Sequence, residues 1–250
     1  MTPELWVCQL RGTTDYHDAL HLQERLRAAR QAELVPDVLL LLEHPSIYTR
    51  GRRSGAGELG FPEEWYRAQG IEIVDVDRGG KITYHGPGQL VGYPIVRTED
   101  VLAYVRTLER AIVRALSEEG LESHARVDDG PDYTGVWVEG RKIASIGVHF
   151  SRGVTTHGFA VNIDNDLNPF GWVVACGLPD VQMTSLAREL GATGPRLTCF
   201  RKRVAFAVAA ALGRRQRILT RERLETLLGE AVGPTEPHER PLAAAGPAQA

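Results

Sequence analysis

The sequence predicts an α+β (α/β) fold: a single domain with a mixed, largely antiparallel sheet flanked by helices. Helical periodicity falls near both ends and in one central stretch. Short strand-like runs broken by glycine and proline fill the space between. The 250 residues, 43% of them hydrophobic, suffice for one full core.

The first helix signal follows Thr13-Thr14-Asp15, with Ala19, Leu22, Leu26 and Ala29 on one face. Pro36 and Asp37 end it, and the short apolar run Val38–Leu42 reads as a buried strand. HPSIYTRGRRSGAGELG then reads as a Gly- and Arg-rich loop. A short helix opens at Pro62 and stops at Gly70, and Ile71–Val76 reads as a strand. Short β segments follow through RGGKITYHGPGQLVGYPIV. Thr98 is the expected N-cap of a long helix with Val101, Val105, Leu108, Ile112 and Leu116 inward, ending at Gly120. GVWVEGRKIASIGVHF predicts a hairpin around Glu139-Gly140, and Thr155–Ile163 the next strand. Helices return at Ser185–Leu190, Thr198–Leu212 and Arg221–Leu228. The expected layout is one domain over residues 1–229 and a disordered tail over 230–250, rich in Pro, Ala and Glu.

A net charge of −3 argues against bulk binding to nucleic acid or to an anionic membrane surface. No secretory signal and no apolar run of membrane-spanning length is visible, so a cytoplasmic chain with reduced thiols is expected. Three cysteines, none at C-x-x-C spacing, argue against a disulfide framework or a cysteine zinc site. Of the 29 basic residues only Lys81, Lys142 and Lys202 are lysines, leaving 26 arginines. Each lysine therefore raises the question of why arginine does not stand there.

Three segments carry candidate chemistry. Arg78–Tyr93 has glycines that permit close backbone approach to a ligand, with Tyr84, His85 and Gln89 as polar groups. It is neither a Walker A loop nor a dinucleotide fingerprint, and tight turns alone also account for it. Gly135–Ile163 holds Lys142, His149 and His157. Lys142 sits beside small and apolar residues, either at a strand end with its ammonium in water or set into a pocket. Each histidine has a structural reading as well as a functional one. Cys176 lies on a loop, as a small core residue or as a nucleophile, whereas Cys8 and Cys199 read as packing. A lysine and a loop cysteine make a coherent dyad. An ammonium stabilises a thiolate and delivers a proton to a leaving group, a task for which arginine, with a pKa above about 12, is unsuited.

RGGKITYHGPGQLVGYP, GVWVEGRKIASIG, HGFAVNIDNDL and ACGLPDVQMTSL, in this order, resemble the lipoyl (octanoyl) transferase family from about Leu5 to about Leu212. The resemblance implies a fold like the catalytic domains of biotin and lipoate ligases. It implies transfer of an octanoyl group from octanoyl-acyl carrier protein to a lysine of lipoyl domains and of the glycine-cleavage H protein. It also implies that Cys176 carries the acyl thioester and that Lys142 lowers its pKa and handles protons. Arg78, Gly79, Gly80, Lys81, Ile82, Thr83, Tyr84 and His85 would line the acyl site, with Ser145, Ile146, Gly147, Gly158, Phe159 and Ala160. No cofactor and no metal are expected, and neither nucleic acid nor membrane is an expected partner. Two departures from the family pattern are Ala175, where proline is common, and Ser145, often alanine. The loop Arg50-Gly51-Arg52-Arg53 is a candidate docking patch for acidic partners, or a solvated loop in an arginine-rich chain. Two rival readings are an ATP-dependent lipoate ligase and a non-catalytic acyl-carrier-binding regulator.

Overall fold

A computed structural model describes residues 2–55, 57–174, 181–191 and 197–232. Strand β1 (Glu4–Thr13) leads into helix α1 (Tyr16–Gln31), where Asp15 accepts the N–H groups of His17 and Asp18 as N-cap. Then come β2 (Asp37–Glu43), β3 (Ile47–Arg50), α2 (Glu63–Ala68), β4 (Glu72–Asp75), β5 (Thr83–His85) and β6 (Gln89–Ile95). The long central helix is α3 (Val101–Ser117). It is followed by β7 (His124–Ala125), a 3-10 turn over Pro131–Tyr133, β8 (Gly135–Val138), β9 (Arg141–Ser151) and β10 (Val154–Asn162). The chain closes with α4 (Leu186–Leu190), α5 (Leu197–Ala211), β11 (Arg215–Leu219) and α6 (Arg221–Val232).

Eight strands form the main sheet in the order β11-β1-β2-β6-β10-β9-β8-β7. β1 runs parallel to both β11 and β2, and every other pairing is antiparallel. The central strands are apolar on both faces because both are covered. In β2, Leu39 and Leu41 join the core under α3 and α5, while Val38, Leu40 and Leu42 join the core under α1 and α6. A second, three-stranded sheet, β4-β3-β5, has its own apolar cluster around Tyr48, Tyr66, Ile82 and Tyr84.

Several expectations shift. The cap of α3 is Asp100, which accepts the Ala103 N–H at 2.9 Å, and not Thr98. Thr98 instead donates its hydroxyl to the Asp100 carbonyl. Strand β3 lies inside the stretch expected to be loop, and β11 was not expected at all. Cys8 is buried in β1, and burial pushes its thiol up to about 11. Cys199 does not serve packing: it is exposed on α5. Helix α6 runs to Val232, and the rest of the expected tail lies outside the described residues. No helix among the described residues is long and apolar enough to cross a membrane.

Candidate active site

A cavity of about 520 Å³ opens where the two sheets meet under the N-terminal turn of α3. Its walls come from β5, β6, β9, β10, Tyr16 of α1 and the loop Arg78–Lys81. Of the expected acyl-site residues, Arg78, Gly79, Gly80, Lys81, Thr83, His85, Ser145, Ile146, Gly147, Gly158, Phe159 and Ala160 all border it. Ile82 and Tyr84 do not. Strand alternation turns them into the cluster of the small sheet, where Tyr84 also pairs with the Ser46 hydroxyl.

Lys142 borders the cavity while only 1% exposed, so its ammonium is set into a pocket and not left at a strand end in water. It lies 5.2 Å from the ring centre of Trp137, its cross-strand partner on β8. Its backbone is tied to residues that follow Cys176 in the chain. The Lys142 N–H donates to the Gln182 carbonyl, and the Thr184 N–H donates to the Lys142 carbonyl, both at 2.9 Å. Before Cys176 in the chain, the Val174 N–H donates to the Glu58 carbonyl at 2.8 Å. Cys176 itself lies outside the described residues.

The loop over the cavity is clamped through Arg78. Its guanidinium donates to the hydroxyl and carbonyl oxygens of Thr49 and to the Gly79 carbonyl. The Gly79 N–H in turn donates to the Val148 carbonyl of β9. Glycine is required opposite: a Cβ on Gly147 would sit 2.8 Å from the Gly79 oxygen. Asp77, just before the clamp, takes His157 Nε2 at 2.8 Å and lies 3.4 Å from His149 Nε2. The hydrogen bond from His157 holds the Asp77 carboxyl below its ordinary range, while burial lowers the pKa of His157 against the opposing pull of Asp77. His157 adopts φ +56° in the middle of β10, fixed there by its N–H donating to Gln23 Oε1 at 2.7 Å.

Two further imidazoles have tautomers set by their partners. His44 donates from Nδ1 to the Thr14 carbonyl and accepts the Tyr93 hydroxyl at Nε2, both at 2.7 Å. Burial lowers its pKa to about 4. His85 donates from Nδ1 to Gln89 Oε1 at 2.7 Å, which leaves Nε2 as its lone-pair nitrogen. Burial and the neighbouring His44 lower its pKa to about 3. His85 therefore presents a neutral ring to the cavity wall, able to accept a hydrogen bond at Nε2 but not to give a proton at pH 7.

Sequence reasoning missed Tyr16, Tyr93, Asp77 and the α3 residues Val101, Leu102 and Val105 as parts of this site. For α3 the signal was present: Val101 and Val105 were assigned to its inward face, and the cavity lies beneath that face's first turn. In the basic loop, Arg50 is consumed within the fold, pairing with Asp75 and Glu63, so it does not belong to an open docking patch. Arg52 and Arg53 remain exposed.

The layered sheet and the cavity over β9 and β10 define a domain of the lipoate-ligase type. The solved lipoate-protein ligase A bound with ATP shares this fold, with a TM-score of 0.70 at 18% identity, covering 92% of this chain and 94% of the other. The chain belongs to the lipoyl protein ligase A/B catalytic domain family, whose family model matches residues 15–208. Among curated relatives, the octanoyltransferase of Rubrobacter xylanophilus is 49% identical over 74% of this chain and 84% of its own length. That of Caldicellulosiruptor bescii is 40% identical over 89% of this chain and 97% of its own.

Proposed function

We propose that this protein is an acyltransferase that moves an octanoyl group from a thioester donor onto a lysine of a lipoyl domain in protein lipoylation. The observation that carries the mechanism is Lys142. It is a buried ammonium on the cavity wall, hydrogen-bonded through its backbone to Gln182 and Thr184, a few residues after Cys176 in the chain. The relatives named octanoyltransferase support the acyl group transferred.

In the first half-reaction the Cys176 thiolate attacks the donor carbonyl. The donor carbon–sulfur bond breaks, and Lys142 gives its proton to the departing thiol. The products are an octanoyl-Cys176 thioester, a free donor thiol and a neutral Lys142 amine. In the second, the acceptor lysine attacks that thioester as an amine and passes a proton to Lys142. Cys176 leaves as a thiolate, so the dyad returns to its starting state. Thioester exchange is near isoenergetic and amide formation is downhill, so ATP has no step to drive. Octanoyl-acyl carrier protein is the proposed donor. Lipoyl domains and the glycine-cleavage H protein are the proposed acceptors, with Arg52 and Arg53 meeting their acidic surfaces. Residues 1–229 form the proposed catalytic unit, acting in the cytoplasm.

The test is incubation with octanoyl-acyl carrier protein, without ATP, followed by intact mass. An octanoyl adduct that disappears in Cys176→Ser is the expected result. ATP-dependent labelling of a lipoyl domain with no adduct would establish a ligase instead. No adduct and no labelling would leave a binding regulator.

A further inference from the structure

Two cations on the cavity wall take no part in the bond-making and proton-transfer steps above: Lys81, and Arg53, the last arginine of the 50–53 loop. The structure brings them together. The N–H groups of Arg52 and Arg53 donate to the carbonyls of Arg78 and Gly80, at 3.0 and 3.1 Å, lacing one loop to the other. The lacing needs glycine at 51, where a Cβ would sit 2.5 Å from the Gly80 oxygen. Arg53 and Lys81 both border the cavity, and both turn to one carboxylate, Asp132 in the 3-10 turn. Arg53 stands 2.8 Å from it and Lys81 3.9 Å, beyond hydrogen-bond range. Asp129, three residues before Asp132, is engaged by Arg126. Two cations thus share one anion, in half-exposed ion pairs of the kind that exchange readily.

We infer that Arg53 and Lys81 form a phosphate subsite for the phosphopantetheine arm that delivers the octanoyl thioester. Asp132 holds the two cations in place until the donor arrives. The inference rests on the transferase reading above. Three features favour this ligand. The subsite and the reacting lysine border one cavity, so a single arm can span from one to the other. The phosphate is the one charged group of the arm and sits at the end opposite the thioester, where the arm must leave an apolar cavity. Lys81, with 27% of its side chain exposed, is recessed in the wall, within reach of a thin arm rather than of a carboxylate on a folded partner's surface. A phosphate ester accepts charge-assisted hydrogen bonds from both cations at once.

The experiment compares octanoyl-4′-phosphopantetheine with octanoyl-pantetheine, which lacks only the phosphate, as donors to the full-length protein. The readout is the ratio of their kcat/KM values for acyl-enzyme formation. The ratio should be on the order of tenfold in the natural protein. It should fall toward one in Lys81→Met and in Arg53→Met. Each variant's own rate with octanoyl-pantetheine is its denominator, so losses of folding or of acyl binding cancel. Lys202→Met, on α5 away from the cavity, should keep the full ratio. A ratio near one in the natural protein overturns the subsite, and so does an undiminished ratio in both cavity variants. No acyl-enzyme from either donor overturns the transferase reading itself, and the subsite with it.

Discussion

The Cε of Lys142 lies against the Cα of Gly135. A Cβ built at 135 would come within 2.9 Å of that carbon and 2.3 Å of the Ala144 carbonyl oxygen. The glycine has φ +140°, and its N–H donates at 3.0 Å to Glu109, a fully buried carboxylate on α3 that Arg106 holds at 2.7 Å. The position of the lysine is therefore set from α3, through a glycine.

Gly135→Ala should cost about 1–3 kcal/mol, since the obstructing atom is backbone and cannot turn aside. It should also slow acyl transfer in the molecules that fold. Glu109→Leu should lower kcat through the same path, leaving the Gly135 N–H unpaired, and Glu109→Gln should restore most of it. Thermal melts read alongside single-turnover rates check both. If Glu109→Leu lowers Tm but not the rate per folded molecule, Glu109 is structural only.

Lys142→Arg and Lys142→Met should each lower the rate of octanoyl transfer by about 10²–10⁴-fold, the range for loss of a positioned acid–base group. Arginine keeps the charge but does not shuttle protons, so rapid turnover in Lys142→Arg would remove the shuttle role. Circular dichroism of both variants establishes that they fold.

Stability should fall as pH drops from about 6.5 toward 4 and 3. His44 and His85 are held neutral in the fold, with pKa values near 4 and 3, whereas in the unfolded chain they protonate below about 6.5. The unfolded state then binds more protons, so unfolding becomes easier by up to about 1.4 kcal/mol per pH unit for each histidine. Asp77, whose folded carboxyl is held low, adds a loss only once pH falls below about 4. Urea unfolding at pH 7 and pH 5 measures the slope. His44→Gln should reduce it by one proton, and an unchanged slope would exclude His44 as a source.

Much of this was legible in the sequence where burial dictates residue type. The apolar run of β2, the 3.6-residue spacing of α3 and the turn at Glu139-Gly140 each read directly. Strand β11 was not legible because its identity comes from a partner. RQRIL is an edge strand in which Arg215 and Arg217 alternate with Gln216 and Ile218, and only pairing with β1 makes it a strand. β3 hid among glycines and arginines for a related reason: four residues held between β4 and β5 give no periodicity. At the site, motif residues were visible, but a contiguous motif does not reveal alternation. Ile82 and Tyr84 therefore read as cavity wall until the strand turned them away. Asp77 and Glu109 act across long sequence separations, which no local pattern records.

Val105→Phe should shift the preferred acyl chain to shorter lengths. Val105 borders the cavity from α3 and packs on the core beneath it, so a larger ring there takes volume from the chain's far end. Each methylene displaced from burial forfeits about 0.8 kcal/mol. Acyl-enzyme rates across butyryl to decanoyl donors check this, and an unchanged profile would place the chain's end elsewhere.

The stretch between Val174 and Gln182 is fastened to different bodies at its two ends. Val174 holds to Glu58, whose carboxylate also takes the Ile82 N–H beside the small sheet, and Gln182 holds to Lys142 in the large one. For protein engineering this makes Val174 and Gln182 two fixed points that a redesign must keep. Circular permutation and loop grafting should accordingly spare this stretch and use the exposed Glu139-Gly140 turn.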